Sequence, residues 1–367
     1  MRQRRNVVLV VGTRPEAIKL ARVYHELKAS RSLAPRLVLS GQHTDLLSPL
    51  LKSLKLQPDA RLSLPSRNRS PNDVAAEILR QLPSVLKRLD PAAVLVQGDT
   101  TTVVASALAA YHMRVPVGHV EAGLRTYNHA HPFPEEANRQ LMARLATWCF
   151  APTNRAVTNL LRERVDRKTV FLTGNTVVDS LTWMINQLRL TSQAEPILLL
   201  TLHRRESFGQ PLVEILSGVC DFLNATPEAR AVWPVHPNPN VRTASRRFTA
   251  HCRQLTVVEP LDYPDFVRTL ASCRIVLTDS GGVQEEAPSF GKSALVAREI
   301  TERPEAATQR RRNRIVGRDR KQVTKALFRV WAEKPYEGRI PVANPYGDGR
   351  AATRIRAVLE SALTTNV

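Results

Sequence analysis

The sequence predicts an α/β protein with two doubly wound parallel sheets in series, and three observations support this prediction. Short apolar, Val-rich runs recur, each followed by a Gly or polar loop and then by a segment of helical periodicity. This alternation is typical of parallel strands joined by crossover helices. It is interrupted at a polar stretch over residues 191–195 and resumes at Pro196. The 367 residues also exceed what one core usually organises, which favours two domains with a site in a cleft between them.

The first predicted domain covers residues 1–185 and the second covers residues 186–345. Strands of the first are expected near residues 7–11, 36–39, 93–97, 115–120, 148–151 and 170–172, before a helix over 177–188. Strands of the second are expected at residues 197–201, 231–234, 255–258, 275–278 and 293–296. Because such sheets bind ligands beyond the carboxyl ends of their strands, the loops after the strands are expected to carry the chemistry.

The composition is that of a folded globular protein with an excess of positive charge. Hydrophobic residues make up 43% and charged residues 23%, with no long polar tract that would indicate disorder. The formal charge of +20 would attract anionic partners. The densest basic runs, residues 2–5 and 310–314, are short and lack interleaved aromatics. They indicate a solvated basic surface rather than a specific nucleic-acid site.

Cysteine usage and hydropathy predict a cytoplasmic protein that does not bind membranes. The four cysteines form no CxxC motif, so reduced core thiols are expected rather than disulfides or a metal site. The opening MRQRRNVVLVVG has the charged start of a signal peptide, but its apolar run is about half the usual length and leads directly into a loop motif. No stretch approaches the roughly 20 apolar residues that span a bilayer.

The loop after the first strand is a candidate anion site. It reads GTRPE from Gly12, with Lys19 about one helical turn further on. Arg14 and Lys19 are therefore expected near a helix N-terminus, which itself favours a phosphate or a carboxylate. Pro15 and Glu16 are usual first-turn residues of any helix and are interpreted as structural.

Three acidic residues follow neighbouring strands of the first predicted sheet. Asp99 lies in GDTTT, where it or a threonine would also serve as a simple N-cap. Glu121 lies in HVEAGLR without an adjacent cation, so a raised pKa suited to proton transfer is expected. Glu135 lies in PFPEEANR, and its neighbour Glu136 is interpreted as part of an exposed first helical turn. Such carboxylates would suit acid and base roles on opposite faces of a ring.

The second domain has basic loops after its first two strands. The loop after the first strand reads HRRES, and its His203, Arg204 and Arg205 would bind a diphosphate, with a chance surface cluster as the alternative. His236 follows the second strand, either as a ligand contact or as a residue that orders its loop.

A Gly-rich loop follows the fourth strand of the second domain. It reads SGGVQEE, in which Ser280, Gly281 and Gly282 leave backbone N–H groups open at the start of a helix. Glu286 follows within reach of a ribose diol. After a parallel strand, this motif predicts a nucleotide phosphate site.

Together these loops resemble the non-hydrolysing UDP-N-acetylglucosamine 2-epimerase family. The match runs from GTRPEAIKL at residue 12 to NPYGDG at residue 344, through GDTTT, HVEAGLR, PFPEEANRQL, TGNTVVDSL, HRRESFG, PVHPNPNV, TDSGGVQEEAPSFGK and TERPEA. The resemblance implies a GT-B architecture of two Rossmann-like domains with an interdomain cleft. It also implies a helix within residues 346–367 that returns toward the first domain, and a homodimer.

The resemblance further implies a reaction and its residues. UDP would leave C1 as the C2 proton is removed, giving 2-acetamidoglucal, and would add back with protonation on the other face, without a cofactor or metal. UDP-N-acetylglucosamine and UDP-N-acetylmannosamine would thereby interconvert, for surface polysaccharide synthesis. The implied catalytic residues are Asp99, Glu121, Glu135 and His203. The implied nucleotide-binding residues are Arg14, Lys19, Arg139, His203, Phe266, Ser280, Gly281, Gly282 and Glu286.

An activating second substrate site is also implied, with Gln42, Arg204 and His236 as its matches. Two departures from the family pattern affect these expectations. Asp45 stands where such relatives often carry Gln or Glu. After TERPEA, residues 309–312 read QRRR in place of a small Ala-Gly-Thr stretch, which would tighten diphosphate binding or reshape the pocket for another UDP-sugar.

Four alternatives remain open at the level of sequence. A hydrolysing 2-epimerase and a 2-epimerase of a diacetamido uronic acid nucleotide would share most of these motifs. A GT-B glycosyltransferase would share the nucleotide half without needing three acids in the first domain. A non-catalytic binding protein is suggested only by the +20 charge. No Ser-His-Asp order, HExxH motif or GxGxxG fingerprint is present, which argues against hydrolases, metalloproteases and dehydrogenases.

Overall fold

The chain forms two compact units, each built around its own parallel sheet. The structure is a computed structural model that describes residues 4–41, 44–64, 70–204, 207–235, 248–299, 301–303, 305 and 313–364. One unit comprises Met1–Ser180 with Tyr346–Val367, and the other comprises Leu181–Pro345.

The first unit contains a seven-stranded parallel sheet in the order β3-β2-β1-β4-β5-β6-β7. Its strands are β1 (Arg5–Val11), β2 (Leu33–Leu39), β3 (Pro58–Arg61), β4 (Pro91–Gln97), β5 (Val117–Val120), β6 (Trp148–Ala151) and β7 (Val170–Leu172). Its helices are α1 (Arg14–Ala29), α2 (Thr44–Ser53), α3 (Pro71–Leu89), α4 (Thr101–His112), α5 (Glu135–Leu145), α6 (Asn154–Arg162) and the start of α7 (Thr176–Leu188). The inner strands are apolar runs because helices cover both faces of the sheet.

The second unit contains a six-stranded parallel sheet in the order β10-β9-β8-β11-β12-β13. Its strands are β8 (Ile197–Thr201), β9 (Arg230–Pro234), β10 (Leu255–Val258), β11 (Ile275–Thr278), β12 (Ser293–Val296) and β13 (Asn313–Ile315). Its helices are α8 (Gln210–Asn224), α9 (Tyr263–Ser272), α10 (Gly281–Glu286) and α11 (Arg320–Trp331). Its core includes the fully buried Phe222 and Trp233.

The helix α12 (Ala351–Thr364) follows the second unit in the chain but belongs to the first. The backbone N–H of Ala352 donates to the buried carboxylate of Asp179 at 2.8 Å, which satisfies a donor of the first turn. Further along α12, Arg356 forms an ion pair with Glu26 of α1 at 3.0 Å. The closing helix is therefore fixed at its start and along its length.

Both sheets have a switch point at which the strand order reverses. In the first unit this point lies between β1 and β4, and in the second between β8 and β11. The crevice beyond the carboxyl ends of such strands is the usual ligand site of a doubly wound sheet. The loops of interest are therefore the two that leave β1 and β4 and the two that leave β8 and β11.

The predicted fold class is confirmed, with three differences in its elements. The sequence did not predict β3 or β13, because these edge strands are short and only partly buried. The strand predicted from residue 115 begins at Val117. Val115 instead belongs to the turn that terminates α4. Its N–H donates to the backbone oxygen of Ala110 at 2.9 Å, and the preceding Arg114 has a left-handed conformation.

The four cysteines are free thiols, and Cys149, Cys252 and Cys273 are buried. Among the described residues, no helix has the length and apolar character to cross a membrane.

Candidate functional site

Glu16 joins the two loops at the switch point of the first unit. Its Oε2 accepts hydrogen bonds from the N–H groups of Gly12 at 2.6 Å and Thr13 at 3.1 Å. Its Oε1 accepts from the hydroxyl of Thr100 at 2.7 Å, on the loop after β4. Burial raises the pKa of Glu16 to about 7, against the lowering effect of hydrogen bonds from Gly12, Thr100 and Thr13. The residue expected to be purely structural thus also sets the spacing of two candidate site loops.

Glu121 lies directly after β5 and is 7% exposed. It has a left-handed backbone with φ of 69°, which is uncommon for a residue with a side chain and typical of functional sites. Its carboxylate forms an ion pair with Lys19 of α1 and accepts a hydrogen bond from Gln97 at 2.5 Å.

The expectation that Glu121 lacks an adjacent cation is therefore wrong. Lys19 is 102 positions away in sequence, but α1 begins where β1 ends, close to the ends of β4 and β5. The three chain segments meet only in the folded sheet, so local sequence contains no sign of this pair. A cation this close favours the ionised form of the carboxylate.

Asp99 is held by residues of α5. Its Oδ2 accepts from Arg139 at 2.7 Å (Nη2) and 2.8 Å (Nε), and its backbone carbonyl accepts from Asn138 at 2.7 Å. Thr100, not Asp99, caps α4, through a hydrogen bond from Val103. The Asp99 carboxylate is thus not occupied in capping and lies beside a guanidinium at the carboxyl edge of the sheet.

The expectation that Glu136 is exposed is also wrong. Its side chain is fully buried and accepts from the N–H groups of Thr126 at 2.9 Å and Tyr127 at 3.1 Å, and from Arg139 at 3.0 Å. Glu136 therefore orders the loop between β5 and α5. Glu135 is half-buried at the first position of α5, one turn before the arginine that binds Asp99.

The structure brings the first-unit candidates to one edge of one sheet. Asp99 and Glu121 follow the neighbouring strands β4 and β5, and each lies against a buried cation. Arg14 is half-buried in the first turn of α1, at the switch point. This arrangement can exchange protons with a polar substrate and can bind anionic groups next to the carboxylates.

In the second unit, Asp279 connects the loops at the switch point. Its fully buried carboxylate accepts from the N–H groups of His203 at 3.0 Å and Arg204 at 2.9 Å. The His203 ring is partly exposed, and its Nδ1 lies 3.8 Å from Asp279 Oδ1. The loop after β8 is therefore fixed by the residue directly after β11.

The Ser280–Gly281–Gly282 segment begins α10 as expected, with Ser280 at the N-cap. Glu286, at the end of α10, is buried and accepts from the hydroxyl of Tyr263 at 3.2 Å. Burial and the nearby carboxylate raise the pKa of Tyr263 well above its ordinary value, so this hydroxyl stays protonated. Phe266 lies on α9, one turn after Tyr263, and is half-buried.

A buried ion cluster supports this loop, and the sequence motifs did not predict it. Arg303 donates to Glu285 at 2.5 Å and to Glu302. Glu302 also accepts from Arg298 at 3.0 Å and lies 3.7 Å from Arg204. TERPEA stood out in the sequence only for its resemblance, because its charged residues lie in a charged segment and carry no local sign of burial.

Several sequence-based candidates lie outside the described residues. They are Gln42, Arg205, His236 and the arginines Arg310, Arg311 and Arg312, and the side chain of Asp45 is not described either. In the described ranges, no group of three or more His, Cys, Asp or Glu side chains is arranged to hold a metal ion.

Comparison with known proteins identifies one family. A family model described as UDP-N-acetylglucosamine 2-epimerase matches residues 25–360. UDP-N-acetylglucosamine 2-epimerase of Escherichia coli K12 is 40% identical over 370 residues, covering 97% of this chain and 98% of the relative. The enzyme of the same name from Salmonella typhimurium is 41% identical over 371 residues, with the same coverage.

Solved structures agree with the sequence relatives. The crystal structure of UDP-GlcNAc 2-epimerase from Neisseria meningitidis bound to UDP-GlcNAc has a TM-score of 0.91 and 37% identity. The match covers 97% of this chain and all of that chain.

Proposed function

Since the chain belongs to the UDP-N-acetylglucosamine 2-epimerase family, we propose that it interconverts UDP-N-acetylglucosamine and UDP-N-acetylmannosamine without hydrolysing them. The observation that carries this proposal is the pair of carboxylates, Asp99 and Glu121, at neighbouring strand ends, each lying against a buried cation. The match to Escherichia coli UDP-N-acetylglucosamine 2-epimerase over nearly both full lengths supports the choice of substrate.

The chemistry of the substrate explains why paired carboxylates and cations are needed. The C2 proton of the sugar is not next to a carbonyl group, so its removal must be coupled to cleavage of the C1–O bond. The C–H electron pair then forms the C1=C2 double bond of 2-acetamidoglucal, while the C1–O pair leaves with UDP. In the return step a proton is delivered to the other face of C2, and a UDP oxygen rebinds C1.

We assign proton transfer at C2 to the first unit, with Asp99, Glu121 and Glu135 as the acid/base set. Lys19 and Arg139 lie directly on two of these carboxylates and favour the ionised form that accepts a proton. C1 and C2 are adjacent atoms, so a cation that stabilises the departing phosphate should lie near the group that takes the proton. Lys19 and Arg139, with Arg14, satisfy this requirement.

We assign the nucleotide to the second unit. Ser280, Gly281 and Gly282 would bind the diphosphate, with His203 beside them on the loop that Asp279 fixes. Glu286, held by the Tyr263 hydroxyl, would bind the ribose, and Phe266 would contact the uracil. No cofactor is needed in this scheme, because the proton and UDP are both returned to the sugar. The product would supply synthesis of a surface polysaccharide.

Proton NMR in heavy water tests this proposal directly. Purified protein is incubated with UDP-N-acetylglucosamine while the anomeric and C2 signals are followed over time. We expect deuterium at C2 and a second, manno-configured UDP-sugar. A Glu121→Gln variant should show neither change, whereas Glu77→Gln, a control on α3 whose half-buried carboxylate forms an ion pair with Arg80, should show both.

Other outcomes of the same experiment identify the alternatives. Free UDP with free N-acetylmannosamine would indicate a hydrolysing 2-epimerase. Transfer to an added acceptor sugar would indicate a glycosyltransferase. An unchanged spectrum with UDP-N-acetylglucosamine, followed by C2 exchange in a diacetamido uronic acid nucleotide, would reassign the substrate while keeping the acid/base residues.

A further inference from the structure

His119 is a buried side chain of β5 to which the proposed reaction assigns no role. It is 1% exposed, and its Nε2 lies 2.7 Å from the backbone oxygen of Gly98. A carbonyl oxygen can only accept a hydrogen bond, so Nε2 must carry the proton. The other ring nitrogen, Nδ1, is buried and has no hydrogen-bond partner among the described residues. The contact thus selects one tautomer of a neutral imidazole.

The surroundings of His119 keep this ring neutral. Burial lowers the pKa of His119 to about 4; Arg125 and Arg139 also lower it, while the bond to Gly98 and the charge of Asp99 raise it. Near neutral pH the ring is therefore a fixed hydrogen-bond donor rather than an acid or base.

The atom that receives this hydrogen bond belongs to the peptide group joining Gly98 to Asp99. Gly98 has a left-handed backbone with φ of 85°, and its own N–H donates to Val120 at 3.0 Å. The next carbonyl, that of Asp99, accepts from Asn138. His119 and Val120, consecutive residues of β5, thus bind the carbonyl oxygen and the N–H group of Gly98, the residue directly before Asp99.

We propose that His119 is a positioning residue for Asp99: its Nε2–H fixes the Gly98–Asp99 peptide and thereby sets the carboxylate relative to Glu121, two residues further along the same segment. This inference rests on the proposed function only in its kinetic test, which measures the proposed epimerase activity. The geometry itself joins both carboxylates through one short stretch of β5.

The kinetic test compares His119→Gln with His119→Met. The two side chains are nearly the same size, but only Gln has an N–H group at the position of the histidine Nε2–H. We expect His119→Gln to retain kcat within about 3-fold, and His119→Met to lose about 10- to 100-fold in kcat with a much smaller change in KM. His119→Asn, whose N–H lies at the position of Nδ1 instead, should behave like Met. His112→Gln, at an exposed histidine of α4, is the control.

A second comparison separates positioning from a general loss of structure. In an Asp99→Asn background, His119→Met should lower kcat no further, because the group through which it acts is already absent. Equal kcat values for His119→Gln and His119→Met would overturn the proposal. If His119→Met lowers kcat as much in the Asp99→Asn background as in the wild type, the proposal is also overturned. If Gln folds while Met and Asn do not, His119 has a folding role and the proposal fails.

An NMR measurement tests the geometry whether or not the protein is an epimerase. With ¹⁵N-labelled histidine at pH 7, His119 should show a slowly exchanging Nε2–H and an unprotonated Nδ1. The Nδ1–H tautomer or an imidazolium would refute the inference. A wild-type protein with this tautomer but no C2 exchange would instead refute the proposed function alone.

Discussion

The hydroxyl of Thr100 donates to the Glu16 carboxylate across 84 positions of the chain, at 2.7 Å. The same hydroxyl accepts from Val103 and so caps α4, while Glu16 closes the capping box of α1. Two helix starts on either side of the switch point are thus joined by one hydrogen bond.

The substitution Glu16→Gln should remove a pH-dependent loss of stability. The folded-state pKa of Glu16, about 7, is above its ordinary value of 4.5, so its stabilising contribution is complete below pH 4.5 and lost as pH rises through 7. The glutamine side chain can keep its oxygen toward Gly12 while its amide group lies against Thr100. In urea unfolding, the unfolding free energy of the variant minus that of the wild type should increase by about 3 kcal/mol from pH 5 to pH 8. A difference that stays constant with pH would refute this account.

Breaking the buried ion pair of Lys19 and Glu121 should cost more than removing it. Lys19→Met leaves a buried carboxylate without its cation and should destabilise by about 3–5 kcal/mol. The double variant Lys19→Met/Glu121→Gln should lose less unfolding free energy than Lys19→Met alone. Its loss should also be smaller than the sum of the losses of the two single variants. Denaturant unfolding of all four proteins measures this coupling. Additive effects would show that the two side chains do not interact in solution.

Arg139→Lys should raise the activation free energy of C2 exchange by more than it lowers the free energy of unfolding. Arg139 contacts Asp99 through Nε and Nη2 and Glu136 through Nη1, and a single ammonium group cannot reproduce this geometry. We expect kcat for C2 exchange to fall about 10- to 100-fold. Arg144→Lys, on the same helix, is the matched control. Equal kcat values for the two variants would refute a role for the fork geometry of Arg139.

Adjacent glycines of α10 should respond differently to alanine. A Cβ on Gly281 would lie 2.6 Å from the buried Arg303 guanidinium, whereas a Cβ on Gly282 would have only Ser280 Oγ near it, at 3.9 Å. Gly281→Ala should therefore displace Arg303 from Glu285 and Glu302, and destabilise by about 1–3 kcal/mol. Gly282→Ala should change the unfolding free energy little. Similar thermal unfolding of both variants would show that Arg303 moves aside at little cost.

The sequence predicted what depends on local periodicity and failed where distant segments meet. Buried parallel strands are apolar runs, so the inner strands were identified, whereas β3 and β13 lie at sheet edges with few buried positions. Motif spacing placed Asp99 and Glu121 at strand ends. It could not place Lys19 on Glu121, because that contact depends on the strand order β1-β4-β5.

Buried polar residues were the other failure. Glu136 and Arg303 are charged residues in charged segments, which in sequence resemble exposed helix starts or surface loops. Their burial depends on backbone N–H groups and opposite charges supplied by the fold. His119 carried no signal beyond its place two residues before Glu121.

The place of α12 has a consequence for synthesis on the ribosome. The first unit needs residues 351–364, which are translated only after the whole of the second unit. Until then Glu26 lacks Arg356, and Asp179 has no helix start to cap. During translation the second unit can therefore fold before the first unit, although the first unit is synthesised earlier, because the first unit still lacks α12.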